Sequence, residues 1–230
     1  MFFWDPMYLV FALPALLLAL YAQARVQGAY SQYTRVPNAR GVSGLQAAKY
    51  LLDSVGLSFL NIEGTPGELS DHYDPRSKTL RLSPGVARQP SVAALSIVAH
   101  EIGHALQDAE GYAPLRVRSG LVPAVTVGSW VGPILFVLGL LMASPTLAWA
   151  GVVAFAGAAV FALVTLPVEF NASRRGLILL RESGLLAEGE LKGAKRVLDA
   201  AALTYVAALA QSLSTLLYYI FLASGMRRRD

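Results

Sequence analysis

The sequence predicts a mostly α-helical integral membrane protein, with about four transmembrane helices and a small α+β domain. Three observations carry that expectation. The chain is 55% hydrophobic and only 15% charged, whereas soluble domains carry about 25% charged residues. Its mean hydropathy is +0.49. Its apolar residues are gathered into runs of roughly 20, the length that crosses a hydrocarbon core. The formal net charge of +4 in 230 residues is too small and too dispersed to point to nucleic acid. There is no cysteine, so disulfides and thiolate ligands are excluded and any metal must be held by His, Asp or Glu.

The first run, Met7 to Ala22, spans the membrane if Phe2 to Trp4 are included. Ala22-Gln23-Ala24 could pass for a signal-peptide cleavage site, but no Lys or Arg precedes Arg25, and a signal peptide needs a basic start. Residues 1–24 are therefore expected to be an uncleaved anchor with its N-terminus on the non-cytoplasmic side.

Residues 25–120 carry most of the charge and are expected to form the α+β domain. Ser43 is placed to cap a helix through Leu45, Ala48, Leu51, Leu52 and Val55, closed by Gly56. Residues 57–63 read as a strand. Leu69 to Tyr73 and Thr79 to Leu82 read as two more, around an Asp74-Pro75 turn. Ser83-Pro84 and Gln89-Pro90 lead into a helix over Ser91 to Asp108, whose apolar residues recur at helical spacing from Val92 to Leu106.

Beyond it, residues 121–168 read as a transmembrane hairpin of two apolar runs, Leu121 to Met142 and Leu147 to Leu166, broken at 143–146. Residues 169–199 are a polar segment. Residues 200–230 close the chain with a fourth span and a basic tail. The Arg and Lys of 25–118 and of 169–199 fall on one side of the hairpin, and the positive-inside tendency makes that side cytoplasmic. Arg227, Arg228 and Arg229 disagree, because four spans starting outside leave them outside.

The helix over 91–108 contains His100, Glu101 and His104, an H-E-x-x-H pattern that uses two of the three histidines in the chain. Histidines four residues apart share a helix face and can reach one metal ion, while the intervening Glu is offset to act as a base. Imidazole and carboxylate ligands suit Zn2+ with one position left open. Two adjacent buried imidazoles without a metal would be costly. No third histidine follows in 105–114, so a carboxylate is the economical third ligand. Glu169, at the end of the third span, stands out; its bland reading is a carboxylate paired with Arg174 or Arg175. Asp108 and Glu110 are the local alternatives. His72 is open to three readings: a donor to the oxyanion, a further zinc ligand, or a hairpin side chain packed on Tyr73. Tyr73 and Tyr112 are weaker candidates for the donor.

With HEIGHALQ, SDHYDPR, RVPNARG and PVEFNASRR in hand, the chain resembles the YugP-type family of membrane-embedded neutral zinc metallopeptidases. The resemblance runs from FFWDPMYL to the last span, with its motifs in order. The layout is also similar to membrane gluzincins such as the CAAX prenyl proteases and the heat-shock-induced membrane proteases. There, a later E-F-x-A-D supplies the third ligand, which EFNAS at 169–173 matches. Ser173 departs from it, standing where that group has the Asp that orients a zinc-binding histidine. The resemblance implies a zincin-like metallopeptidase domain in the plasma (inner) membrane of a bacterium but says little about substrate; the motif chemistry itself points to a peptide or membrane-protein substrate. The zinc ligands would be His100, His104 and Glu169, with Glu101 as base; His72 is taken as the oxyanion donor on its place beside the cleft alone. A scaffold or partner-binding subunit with a structural zinc site is the alternative.

Overall fold

The computed structural model describes residues 6–226. Phe2 to Trp4 of the expected anchor, and Arg227, Arg228 and Arg229 of the tail, lie outside the described residues. The elements follow in the order α1 (Pro6–Thr34), α2 (Gly44–Ser54), β1 (Asn61–Gly64), β2 (His72–Asp74), β3 (Thr79–Leu82), α3 (Pro84–Arg88), α4 (Val92–Ala109), α5 (Ala113–Leu141), α6 (Pro145–Ser183) and α7 (Glu188–Met226). Among the described residues, α1, α5, α6 and α7 are long and apolar enough to cross a membrane. The protein is a mostly α membrane protein with one small sheet.

The chain divides into two compact units. One comprises Met1–Ala22, Arg116–Pro167 and Thr204–Asp230. Its outward residues are large and apolar, among them Leu17, Trp130, Val153, Leu163 and Phe221, as expected of surfaces that meet lipid. The hairpin forms where the break at 143–146 predicts it, with Ala143 in the left-handed region at φ +49°. Within it α5 and α6 approach through small residues. A β-carbon on Gly151 would lie 2.4 Å from the Phe136 backbone nitrogen, and one on Gly139 would lie 2.3 Å from that of Ala148. Such contacts are how helices associate where burial from water is not available as a driving force. Phe136 stacks on Tyr219 with centroids 4.0 Å apart.

The other unit comprises Gln23–Leu115 and Val168–Leu203. Ser43 caps α2 as expected, in a reciprocal capping box with Gln46, and Gly56 closes it at φ +74°. The strand expected over 57–63 begins only at Asn61, because the Leu57 and Leu60 amides are used in turns to Leu52 and Leu57 carbonyls. β2 likewise begins at His72, three residues late. Leu69 adopts φ +52° and the Ser70 hydroxyl donates to the Pro66 carbonyl, which holds 66–70 in a turn. β3 lies in the middle of the sheet, parallel to β1 and antiparallel to β2. That leaves β2 as an edge strand beside α4.

α4 is the buried centre of this unit. Ser91 caps it through the Ala94 amide, and Val92, Leu95, Val98 and Ile102 are fully buried against Leu51, Leu80, Leu82 and Leu180. α6 runs without a break past Glu169 to Ser183. It continues beyond its apolar run because the later turns bury Leu179 and Leu180 in the same core. α4 and α6 touch backbone to backbone at two glycines. A β-carbon on Gly103 would lie 2.4 Å from the Ala172 carbonyl oxygen, and one on Gly176 would lie 2.8 Å from the Ala99 carbonyl.

Candidate metal centre

The crossing of α4 and α6 sets the site. His100 and His104 stand one turn apart on α4, with ring centroids 4.8 Å apart and planes at 86°. Glu169 arrives from α6, and its Oε2 lies 3.3 Å from His100 Nε2 and 3.4 Å from His104 Nε2. The carboxylate is 2% exposed and the imidazoles 13% and 12%. Among the described residues this is the His/Asp/Glu group whose ligand atoms all fall within 4.8 Å of one another.

Those separations fit a zinc ion. Ligand bonds of about 2.0–2.1 Å in a tetrahedron place neighbouring donor atoms about 3.3 Å apart. The far nitrogens of both rings are engaged as ligand histidines require. His104 Nδ1 donates to Gln107 Oε1 at 3.0 Å, which leaves Nε2 with its lone pair in the neutral ring. His100 Nδ1 meets Ser173 Oγ at 3.1 Å, so Ser173 occupies the place of the orienting carboxylate with a neutral hydroxyl. Gln107 also donates to the Val168 carbonyl at 2.8 Å and to Asn171 Oδ1 at 2.9 Å. One buried amide thus ties His104 to the turn of α6 that carries Glu169.

Glu101 lies beside the cluster, 8% exposed, and its Oε2 accepts the Tyr73 N–H of edge strand β2 at 3.0 Å. Burial pushes its carboxyl above the ordinary range, with His100 and His104 pulling the other way. Burial disfavours a charged His104, but Glu169 and Glu101 reverse this and leave its proton affinity raised.

The remaining sequence candidates go elsewhere. His72 is exposed on β2, with Nδ1 2.8 Å from the Ser70 carbonyl, and it is outside the three-residue cluster. Asp108 receives the Tyr73 hydroxyl at 2.7 Å and Lys78 at 2.6 Å. Glu110 receives both terminal nitrogens of Arg175 at 2.7 Å. The pairing of Glu169 with Arg174 or Arg175 is therefore replaced by a pairing of Arg175 with Glu110. Gly103, Gly176 and Gln107 escaped sequence reasoning. Gln107 could have been found, since a residue three after a ligand histidine shares its helix face. The glycines gave no such signal, because a helix periodicity does not show which partner backbone comes close.

Residues 8–224 match the profile of the family described as "Putative neutral zinc metallopeptidase". The chain is also 39% identical over 216 residues to the Bacillus subtilis (strain 168) protein named "Putative membrane protease YugP", covering 94% of this chain and 96% of that one. No solved structure gives a significant match. A profile that takes in nearly every residue, and a relative that is similar from end to end, agree with the two histidines and one carboxylate gathered at the α4/α6 crossing. The chain belongs to this zinc metallopeptidase family.

Proposed function

We propose that the protein is a membrane-embedded zinc endopeptidase, with His100, His104 and Glu169 as metal ligands and Glu101 as general base. The observation that carries this reading is the buried Glu101 carboxylate beside the three-residue cluster, in contact with an edge strand. A structural zinc site is usually closed by four protein ligands and needs no base. Here three side chains converge, and His72, the fourth that a closed site would draw on, is bonded to Ser70.

Zinc held by these side chains would act as a Lewis acid on the peptide carbonyl and acidify a water nearby. Glu101 takes one proton as the water oxygen bonds to the carbonyl carbon. It then delivers that proton to the amide nitrogen as the C–N bond breaks, and the remaining hydroxyl proton passes to the departing amine, which releases an ammonium and a carboxylate. A raised proton affinity suits a base that works near neutral pH. The outer edge of β2 would receive an extended peptide or membrane-protein segment as an added strand. His72, next to Tyr73 on β2, is assigned the role of donor to the oxyanion. The basic residues of 25–118 and 169–199 support a site on the cytoplasmic face of the bacterial plasma membrane.

The test is to purify the full chain in detergent, measure bound zinc, and follow cleavage of an unfolded protein beside Glu101→Gln. Zinc should stay at the wild-type level while the rate falls by about 10²–10⁴-fold. Full activity in the zinc-loaded variant would overturn the mechanism.

A further inference from the structure

A second feature of the same unit lies between α6 and α7, on a cavity of about 560 Å³, within the roughly 300–1,000 Å³ of small-molecule sites. Besides Ser173, whose hydroxyl also meets His100 Nδ1, its lining falls into two parts. Phe170, Leu177, Ile178, Leu191, Leu198 and Ala202 make an apolar wall. Arg174, Arg181, Lys192 and Lys195 supply cations, against Glu188 and Asp199, an excess of two positive charges. Lys195 is satisfied by Asp199, its Nζ 2.5 Å from the carboxylate. Arg174, Arg181 and Lys192 make no ion pair among the described residues.

The position matters as much as the charge. Phe170 follows the apolar run of α6 by four residues and Ala202 is the third residue of the apolar run of α7. At 1.5 Å per residue, Phe170 and Ala202 sit within about one turn of the level at which each helix becomes apolar, whereas the backbones of Arg174 and Lys192, eight residues out, stand about 12 Å beyond it and that of Arg181 about 22 Å. The apolar wall thus starts at the hydrocarbon edge and the cations stand outward of it, on the headgroup side. Glu169 does not line the cavity and is buried against the histidines of α4, Ser173 being the residue shared with the metal centre, whereas the cations are exposed.

We propose that this cavity is a site for the headgroup of an anionic phospholipid. The phosphate is met by Arg174 and Lys192, with Arg181 outward of them against the rest of the headgroup, and the start of the acyl chains lies along Phe170, Leu198 and Ala202. Basic pockets between membrane helices recognise anionic headgroups by this combination, and guanidinium groups match phosphate oxygens in pairs. An acidic peptide would satisfy the cations, but it would leave the apolar wall without a partner.

Native mass spectrometry of the detergent-purified full chain, titrated with phosphatidylglycerol or with phosphatidylcholine of the same acyl length, tests this. Phosphatidylglycerol should bind at least tenfold more tightly. Arg174→Gln/Arg181→Gln/Lys192→Gln should erase that preference, and Arg174→Lys/Arg181→Lys should retain it. If circular dichroism shows the triple variant misfolded, each single Gln variant should still weaken phosphatidylglycerol binding at least threefold. Equal affinity for the two lipids would overturn the proposal, and so would an unchanged preference in a folded triple variant or in all three single variants. Competition by free glycerol phosphate or by an acidic peptide at the lipid's own concentration would also overturn it, assigning the cations to that ligand instead.

Discussion

Two of the places where helices of this molecule meet backbone to backbone are built for opposite purposes. Within the transmembrane hairpin, Gly139 and Gly151 let α5 and α6 close on each other, and the side chains around them are Phe136, Ala148 and Val152. At the other crossing, Gly103 and Gly176 do the same for α4 and α6, but the neighbours are His100, His104, Glu169, Gln107 and Ser173. The backbone device is shared. What differs is the chemistry of the flanking residues. In the hairpin, closeness maximises dispersion contacts where lipid offers no hydrophobic gain. At α4/α6, closeness shortens the reach of a carboxylate until it meets two imidazoles.

The contrast predicts a graded series. Glu169→Ala removes a proposed ligand and should take zinc from about one per chain to under a tenth after dialysis, read by atomic spectroscopy; unchanged zinc content would remove Glu169 from the site. Gly103→Ala places a methyl where the Ala172 carbonyl oxygen sits 2.4 Å away. It should weaken zinc binding by about 100-fold, the upper part of the range for disturbed ligand support. Gly151→Ala creates an equal clash in the hairpin and should lower the melting temperature while leaving zinc affinity within threefold. If the two alanines affect zinc alike, the separation drawn here between the two crossings fails.

Smaller effects sharpen the same comparison. Gln107→Leu frees His104 Nδ1 and cuts the link to Val168 and Asn171; zinc affinity should fall by roughly 10-fold to 100-fold, with chelator competition as the readout. Ser173→Asp should strengthen zinc binding by several-fold, since a carboxylate raises the basicity of the ring it accepts from. The smallest effect lies in the β2–β3 turn. Bonds from Ser77, Arg81 and the Arg76 amide hold the Asp74 carboxyl well below the usual carboxylate range. Its contribution to stability is therefore complete above pH about 4 and is lost as pH falls towards the depressed folded value. Asp74→Asn should narrow the difference between melts at pH 5 and pH 3.

Much of the site was legible because its information is local. Spacing alone put His100 and His104 on one face with Glu101 beside them, and Glu169 stood out by its place after a span. The four spans were legible from the length of the apolar runs. The strands were read too long, because 57–60 and 66–70 spend their amides and hydroxyls on turns that a β-like residue string does not reveal. The length of α6 was also hidden. Its apolar run stops at Leu166, and the helix persists through burial of one face against a partner distant in the chain. The position of His72 was not legible either: its Nδ1 is held by the Ser70 carbonyl of the preceding turn, a contact that no spacing announces.

Glycine contacts at the α4/α6 crossing have a consequence for how this chain can change. Glu169 and Gly176 are seven residues apart, close to two helical turns, so the ligand and the contact point share a rotational phase. Inserting one residue between them would turn the carboxylate by about 100° and advance it by about 1.5 Å. Hydropathy, length and span count would be almost untouched. The helix behaves as a keyed shaft: it can exchange most of its apolar side chains, but it cannot slip by a single tooth.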